Sequence, residues 1–384
     1  DSPELSPARR ALDTILRDRT GYVVQGLSVR SNNGEKGLSK ITDVEAPFEA
    51  RMPVGDNTVA LRVTPVHLSA GSVGSDALSR FGKGTTAAAG SQSDTGVGLA
   101  VAFENPDQGL KADVGVSPLG FLYNTIVGGV SVSRPFEANS NFRYGATVSR
   151  RPVTDSVTSF AGSEDGAGNK WGGVTANGGR GELSYDNQKL GVYGYASLHE
   201  LLGNNVEDNT RLELGSGIYW YLRNNPRDTL TLGISGSAMT FKENQDFYTY
   251  GNGGYFSPQR FFSLGVPIRW AQSFDRFSYQ VKSSVGVQHI AQDGADYFPG
   301  DSALQAANNN PKYDSSSKTG VGYSFNAAAE YRLSSRFYLG GEIGLDNAQD
   351  YRQYAGNAYL RYLFEDLSGP MPLPVSPYRS PYSN

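Results

Sequence analysis

The feature that most constrains this chain is an alternation of period two that begins at Tyr22 and continues, with interruptions, to Phe364. Successive side chains on an extended strand point to opposite faces. Apolar residues at every second position therefore make a strand with one apolar and one polar face. Over 208–222, Leu212, Leu214, Ile218, Trp220 and Leu222 share one side, and Arg211, Glu213, Gly215, Gly217, Tyr219 and Tyr221 the other. Over 228–243, Leu230, Leu232 and Ile234 oppose Thr229, Thr231, Gly233 and Ser235. The runs at 318–333 and 336–346 repeat the pattern, with Glu330 and Arg332, then Tyr338, Glu342 and Asp346, on the polar side.

Strands are expected near 21–31, 40–53, 58–70, 94–104, 109–117, 124–136, 142–152, 172–186, 189–199, 208–222, 228–243, 259–273, 276–290, 318–333, 336–346 and 354–364. A soluble sandwich could share the alternation, but the connections distinguish the two. Short turns fall at Gly55–Asn57, Asn105–Gln108, Ala138–Asn141, Asp186–Gln188, Asn224–Arg227, Phe274–Asp275 and Ser334–Ser335, all rich in turn-forming residues. Longer segments at 71–93, 153–171, 244–258 and 291–317 fall between them. Short turns at one end and long loops at the other are the layout of an outer-membrane barrel, with the short turns in the periplasm. Several strands exceed the ~5–6 residues usual in soluble sheets and reach the ~9–11 that cross a bilayer at a tilt. Trp220 and Trp270 then lie near the periplasmic edge on the lipid face, where an aromatic girdle belongs. The expected fold is all-β, a transmembrane antiparallel up-and-down barrel of about sixteen strands. An even strand count leaves both ends in the periplasm.

Composition agrees. Only 38% of residues are hydrophobic, and no apolar run approaches the ~18–20 residues of a membrane helix; alternating strands need neither. There is no cysteine, so neither disulfides nor thiolate metal sites are available. A net charge of −4 argues against nucleic acid as a partner. Outside the barrel (21–364), the stretch 1–20 carries a helix over 5–19, with Ala8, Ala11, Leu12, Ile15 and Leu16 on one face. That helix either packs on the barrel mouth or ends an upstream helical array. Residues 365–384 form a proline-rich tail, either disordered or docked in or under the barrel.

Catalysis is weakly signalled. The three histidines, His67, His199 and His289, lie on different strands without metal-ligand spacing, and no cofactor motif is present. A lipid-modifying barrel enzyme would rest on His67 with Ser69 alone. The polar face is richer. Arg51, Arg62, Arg211, Arg269, Arg332 and Arg361 mix with Glu45, Glu49, Glu182, Glu213, Glu330 and Glu342, interleaved with Tyr193, Tyr195, Tyr219, Tyr221, Tyr338 and Tyr359. A barrel this wide holds water. Tyrosine faces suit the C–H faces of sugars, while ion pairs along the same wall also stabilise it. One loop stands apart: Phe247, Tyr248, Tyr250, Tyr255 and Phe256 alternate with glycines over 247–259. These rings either pack at the rim or fold inward as a gate or polymer rail.

The stretch YGNGGYFSPQ (250–259) and the RFFSLGVPIRW strand after it resemble the C-terminal barrel of the outer-membrane export component of bacterial cellulose synthase. The resemblance spans essentially the whole chain. It implies a barrel preceded by periplasmic tetratricopeptide repeats, an inner-membrane cellulose synthase as upstream partner, and outer-membrane lipids around the wall. It further implies cellulose, a β-1,4-glucan, as the polymer in the lumen. The resulting expectation is a passive export channel and not an enzyme, with a pore for another polysaccharide as the alternative.

Overall fold

A computed structural model describes residues 7–383. Pro7–Arg19 form α1, so the expected helix is present from Pro7; positions 5 and 6 lie outside the described residues. Proline suits a first helical turn, and Arg17 and Arg19 in the last turn favour the negative end of the helix dipole. The helix lies at one rim of the barrel. Arg51 donates to the carbonyls of Arg17 and Thr20 (2.9 Å each), and Arg19 pairs with Asp107 (2.6 Å). Leu12 and Ile15 remain exposed, so this face is not buried against the barrel.

Sixteen strands follow: β1 (Tyr22–Asn32), β2 (Thr42–Glu45 and Phe48–Val54), β3 (Asn57–Ser72), β4 (Ser91–Asn105), β5 (Leu110–Leu119), β6 (Ile126–Pro135), β7 (Phe142–Pro152), β8 (Lys170–Asp186), β9 (Leu190–Asn204), β10 (Asn209–Asn225), β11 (Asp228–Phe241), β12 (Arg260–Ser273), β13 (Phe277–Gln292), β14 (Ser316–Arg332), β15 (Phe337–Ala348) and β16 (Tyr351–Leu363). Each pairs antiparallel with its sequence neighbour, and β16 pairs with β1 from Tyr22↔Leu363 to Asn32↔Gln353, which closes the barrel. Closure removes the unpaired edges that a bilayer does not tolerate. Proline interrupts β2 at Ala46–Pro47, but the pairing with β1 keeps one register on both sides of the break. Every expected strand is present. Several run further at the long-loop end than expected, as in β9 to Asn204, where Leu201 packs under the mouth loops with Val174, Phe241 and Tyr255.

The outward face is apolar. Leu61, Val114, Val148, Leu264 and Ile343 are exposed on it, and lipid covers such a face. At the short-turn end, Phe142–Tyr185 (4.7 Å), Phe337–Tyr362 (4.9 Å) and Trp270–Tyr279 (5.9 Å) form a belt of paired rings, the periplasmic girdle.

Candidate functional site: lumen, tail and mouth

At the long-loop end the 242–259 loop is the centre of a plug. Asn244, Gln245, Thr249, Asn252 and Ser257 are buried yet hydrogen-bonded. Ser156 Oγ donates to the Gly254 carbonyl (2.5 Å), the Phe256 N–H to Asp155 Oδ2 (3.0 Å), the Tyr250 N–H to the Gly82 carbonyl (2.8 Å), and Asn252 Nδ2 to the Tyr297 carbonyl (3.1 Å). Surrounding loops thus hold the central one from several sides. The glycines of the 250–259 motif permit the close approach. Gly251 has φ +102°, and a Cβ there would lie 2.3 Å from the Pro299 carbonyl oxygen; one on Gly254 (φ +69°) would press on Ser156 and Tyr248.

The loop aromatics differ in their surroundings. Tyr248 packs with Leu38, Phe81 and the fully buried Trp171, and Tyr255 with Val174, Leu201 and Phe241, its hydroxyl accepting from Asn209 (3.1 Å). Tyr250 lies 4.7 Å under the Lys83 ammonium. Phe247 and Phe256, together with Tyr248, border a cavity of about 1020 Å³ directly below the plug. Its roof is acidic. Enclosure by the surrounding loops and the neighbouring Asp155 raise the Asp246 carboxyl to about 7, and the same enclosure raises Asp155, which is exposed only to the cavity. Glu35 is held low by its bidentate pair with Arg80.

The tail is neither disordered nor outside: it threads the lumen. Below the barrel, Arg17 donates to the Pro370 carbonyl (3.0 Å) and Arg332 to the Gly369 carbonyl (2.7 Å). Further up, Asn357 donates to the Tyr378 carbonyl (3.1 Å), Arg379 forks onto Glu342, and Ser380 bonds to Glu45. The tip, Tyr382, packs among Ile41, Leu68, Phe121 and Phe160 beneath the plug. The tail lies against β14–β16 and β1–β5 and covers an ion network. Glu49 accepts from Arg62 (2.7 Å) and Tyr22 (2.5 Å), while Glu330 pairs with Arg361 (3.2 Å) and bonds to Tyr359.

The opposite wall, β8–β12, is bare. Tyr195 faces Gly215 across the strands, Tyr193 faces Gly217 and Tyr219 faces Gly191. A Cβ on those glycines would lie 2.3, 2.6 and 1.9 Å from the facing ring, so each ring lies flat on a neighbour without a side chain. Three hydroxyls on this wall are anchored: Tyr195 to Glu213 (2.8 Å), Tyr219 and Tyr221 both to Asp186 (2.7 and 2.6 Å). Half-buried rings fixed this way stand toward the lumen at little entropic cost, with Tyr195 beneath the Arg180 guanidinium (4.0 Å).

Of the residues marked from sequence, Tyr193, Tyr195, Tyr219, Tyr221, Arg211 and Glu213 therefore share one open wall. Tyr338, Glu330, Glu342 and Arg332 are drawn under the tail instead; Tyr338 is 4% exposed, against Leu363, Leu367 and Met371. The tail residues Tyr378–Tyr382 and the mouth residues Trp171, Tyr297 and Tyr313 carried no sequence signal beyond being aromatic or proline-spaced. His67, on the outer face, bonds to Thr95 (2.7 Å). Among the described residues no group of three or more His, Asp or Glu could hold a metal ion.

Residues 39–365 match the family model described as the C-terminus of cellulose synthase operon protein C. The chain belongs to this family. It is 96% identical over its full 384 residues to cellulose synthase operon protein C of Pseudomonas fluorescens (strain SBW25). It is 37% identical over 76% of its length to the protein of that name from Xanthomonas axonopodis pv. citri. The chain spans 30% and 20% of those relatives. Among solved structures, a bacterial polysaccharide outer membrane secretin matches 89% of this chain and 98% of its own at a TM-score of 0.55 and 11% identity, a likeness of fold. The family's barrel, closed and apolar outside, sits in the bacterial outer membrane.

Proposed function

We propose that the chain is the outer-membrane exit for a neutral, hydroxyl-rich polymer, cellulose, which slides passively along the bare wall. The observation that carries this is the ladder of flat, anchored tyrosines on β9 and β10. Such rings meet the C–H faces of successive sugars. Asp186, Glu213 and Arg211 beside them can exchange hydrogen bonds with hydroxyls. Conduction needs many weak and replaceable contacts instead of one tight site, and this wall offers them. A polyanionic polysaccharide would call for a basic lumen, whereas the charges here are mixed. No step of bond making is assigned to any residue. The driving force comes from polymer synthesis upstream, delivered by an inner-membrane synthase through a periplasmic repeat region to which α1 leads.

The test is single-channel recording in planar bilayers with β-1,4-linked glucose oligomers added on the periplasmic side. Transient current blockades are expected, shortened by Tyr219→Ala with Tyr221→Ala. Absence of blockade in the parent channel contradicts the reading.

A further inference from the structure

Three aromatic rings stand in one column at the roof of the inner cavity, two of them lining it. Phe247 of the 242–259 loop stacks on Tyr313 with centroids 3.7 Å apart and planes 1° from parallel. Tyr313 stacks in turn on Tyr297 at 4.0 Å and 10°. Tyr297 and Tyr313 belong to the 293–315 loop, which is itself a folded unit. Ala295–Asp296 pairs with Lys312–Tyr313, and a short helix at Ser302–Ala307 is braced by Gln305, which bonds to the Pro311 carbonyl (2.7 Å) and to the Phe298 N–H (3.0 Å). This loop also holds the central loop through Thr249–Tyr313 (3.1 Å), Asn252 to the Tyr297 carbonyl (3.1 Å) and Asn244 to the Asp293 carbonyl (2.9 Å).

Two kinds of contact therefore join these loops, and they respond differently to a passing sugar chain. The hydrogen bonds exchange readily with water or hydroxyls, because each net contribution is small. Water does not replace a ring face in the column, but an apolar face that stacks on a ring does. Phe247 and Tyr313 both line the cavity, so the column is reachable from inside the barrel. Parallel stacking places negative ring faces together, which is not the arrangement rings prefer unless offset. The positively polarised C–H face of a pyranose is a better partner for such a face than a second ring.

We propose that the Phe247–Tyr313–Tyr297 column is the latch of the mouth and the last sugar-binding site of the channel. It opens when a pyranose of the arriving polymer takes the place of one ring against its neighbour. The proposal rests on the reading of the barrel as a sugar-polymer conduit. Once Tyr313 separates from Phe247, the 293–315 unit swings outward as a body and the central loop loses one of its supports. The hydrogen bonds left behind are satisfied by water and by the polymer's hydroxyls.

The test compares the 384-residue chain with Tyr313→Leu, Tyr313→Phe and Phe247→Leu in planar bilayers. Without sugar, both leucine variants are expected to open about tenfold more often, the scale of losing ring–ring contacts, and Tyr313→Phe to behave as the parent because it keeps the column. Adding cellohexaose from the periplasmic side should raise opening of the parent and of Tyr313→Phe, and leave the leucine variants unmoved. Maltohexaose, α-linked, reports on the linkage. Parent-like opening in Tyr313→Leu overturns the latch. Frequent blockades of the parent by cellohexaose without any rise in opening overturn the sugar trigger alone and leave the conduit intact. Neither blockade nor opening change removes the conduit reading and this proposal together.

Discussion

The two walls of the lumen are built from the same alternating strands and serve opposite ends. On β14–β16 and β1–β5 the polar side chains below the inner cavity are tied to one another and covered by the tail, and the upper ends of β14–β16, β1 and β2 line that cavity. Glu49 there is 5% exposed and serves both Arg62 and Tyr22. On β8–β12 the polar side chains are open, and tyrosines lie flat on glycines. Alternation decides which side chains face inward; it does not decide whether something lies on top of them. A covered inward face is a packing surface, and an uncovered one stays open to whatever occupies the lumen.

That contrast can be broken in several ways. The largest effect is expected from Glu49→Ala, which strips a carboxylate from a buried network and leaves Arg62 without its partner, at a cost of about 3–5 kcal/mol. Glu213→Ala on the bare wall removes one partner of Tyr195 in contact with water and should cost no more than about 1 kcal/mol. Thermal unfolding in detergent compares the two; equal losses erase the distinction between walls. Next, Tyr219→Ala with Tyr221→Ala should weaken glucan oligomer binding about tenfold, through lost ring surface, while Tyr359→Ala under the tail leaves binding unchanged. Oligomer titration of the blockade frequency checks both.

A smaller change is expected from truncation after Met371, which removes the lumenal part of the tail and keeps its apolar base against Tyr338 and Leu363. Conductance during openings should rise severalfold, and an unchanged value means the tail does not narrow the path. The smallest effect is a pH dependence of the mouth. Asp246 is raised from 3.8 to about 7 by burial and by Asp155, so the closed mouth binds its proton more tightly than a released loop does. The closed state is therefore favoured below about 4 and loses that advantage as pH rises through about 7. Opening should be more frequent at pH 8 than at pH 5, and Asp246→Asn should flatten the slope.

The barrel was legible because alternation, turn chemistry and strand length are local. Each of the sixteen strands is present, and Trp220 and Trp270 are on the lipid side near the short turns. The site was legible in part. Inward-facing residues such as Tyr193 and Glu213 follow from the period of two. Whether a residue is open does not: Tyr338 and Glu342 obey the same pattern and lie under a tail that arrives from twenty or more residues along the chain. The plug shows a similar limit. The glycines of 250–259 mark a crowded backbone, but the column that Phe247 forms with Tyr297 and Tyr313 joins two loops some fifty residues apart. No periodicity connects them.

The most direct test of the two-wall account uses the absence of native cysteine. Ser235→Cys places a thiol on the bare wall, opposite Gly217 on β10 as Gly233 is opposite Tyr219. Asn357→Cys places one under the tail, where Asn357 bonds to Tyr378. Labelling by a water-soluble thiol reagent from the periplasmic side, with and without cellohexaose, reads accessibility and protection together. The account predicts rapid labelling at 235 that the oligomer slows, and slow labelling at 357 that rises once the tail is cut after Met371. Equal labelling at both positions, with equal protection, contradicts it.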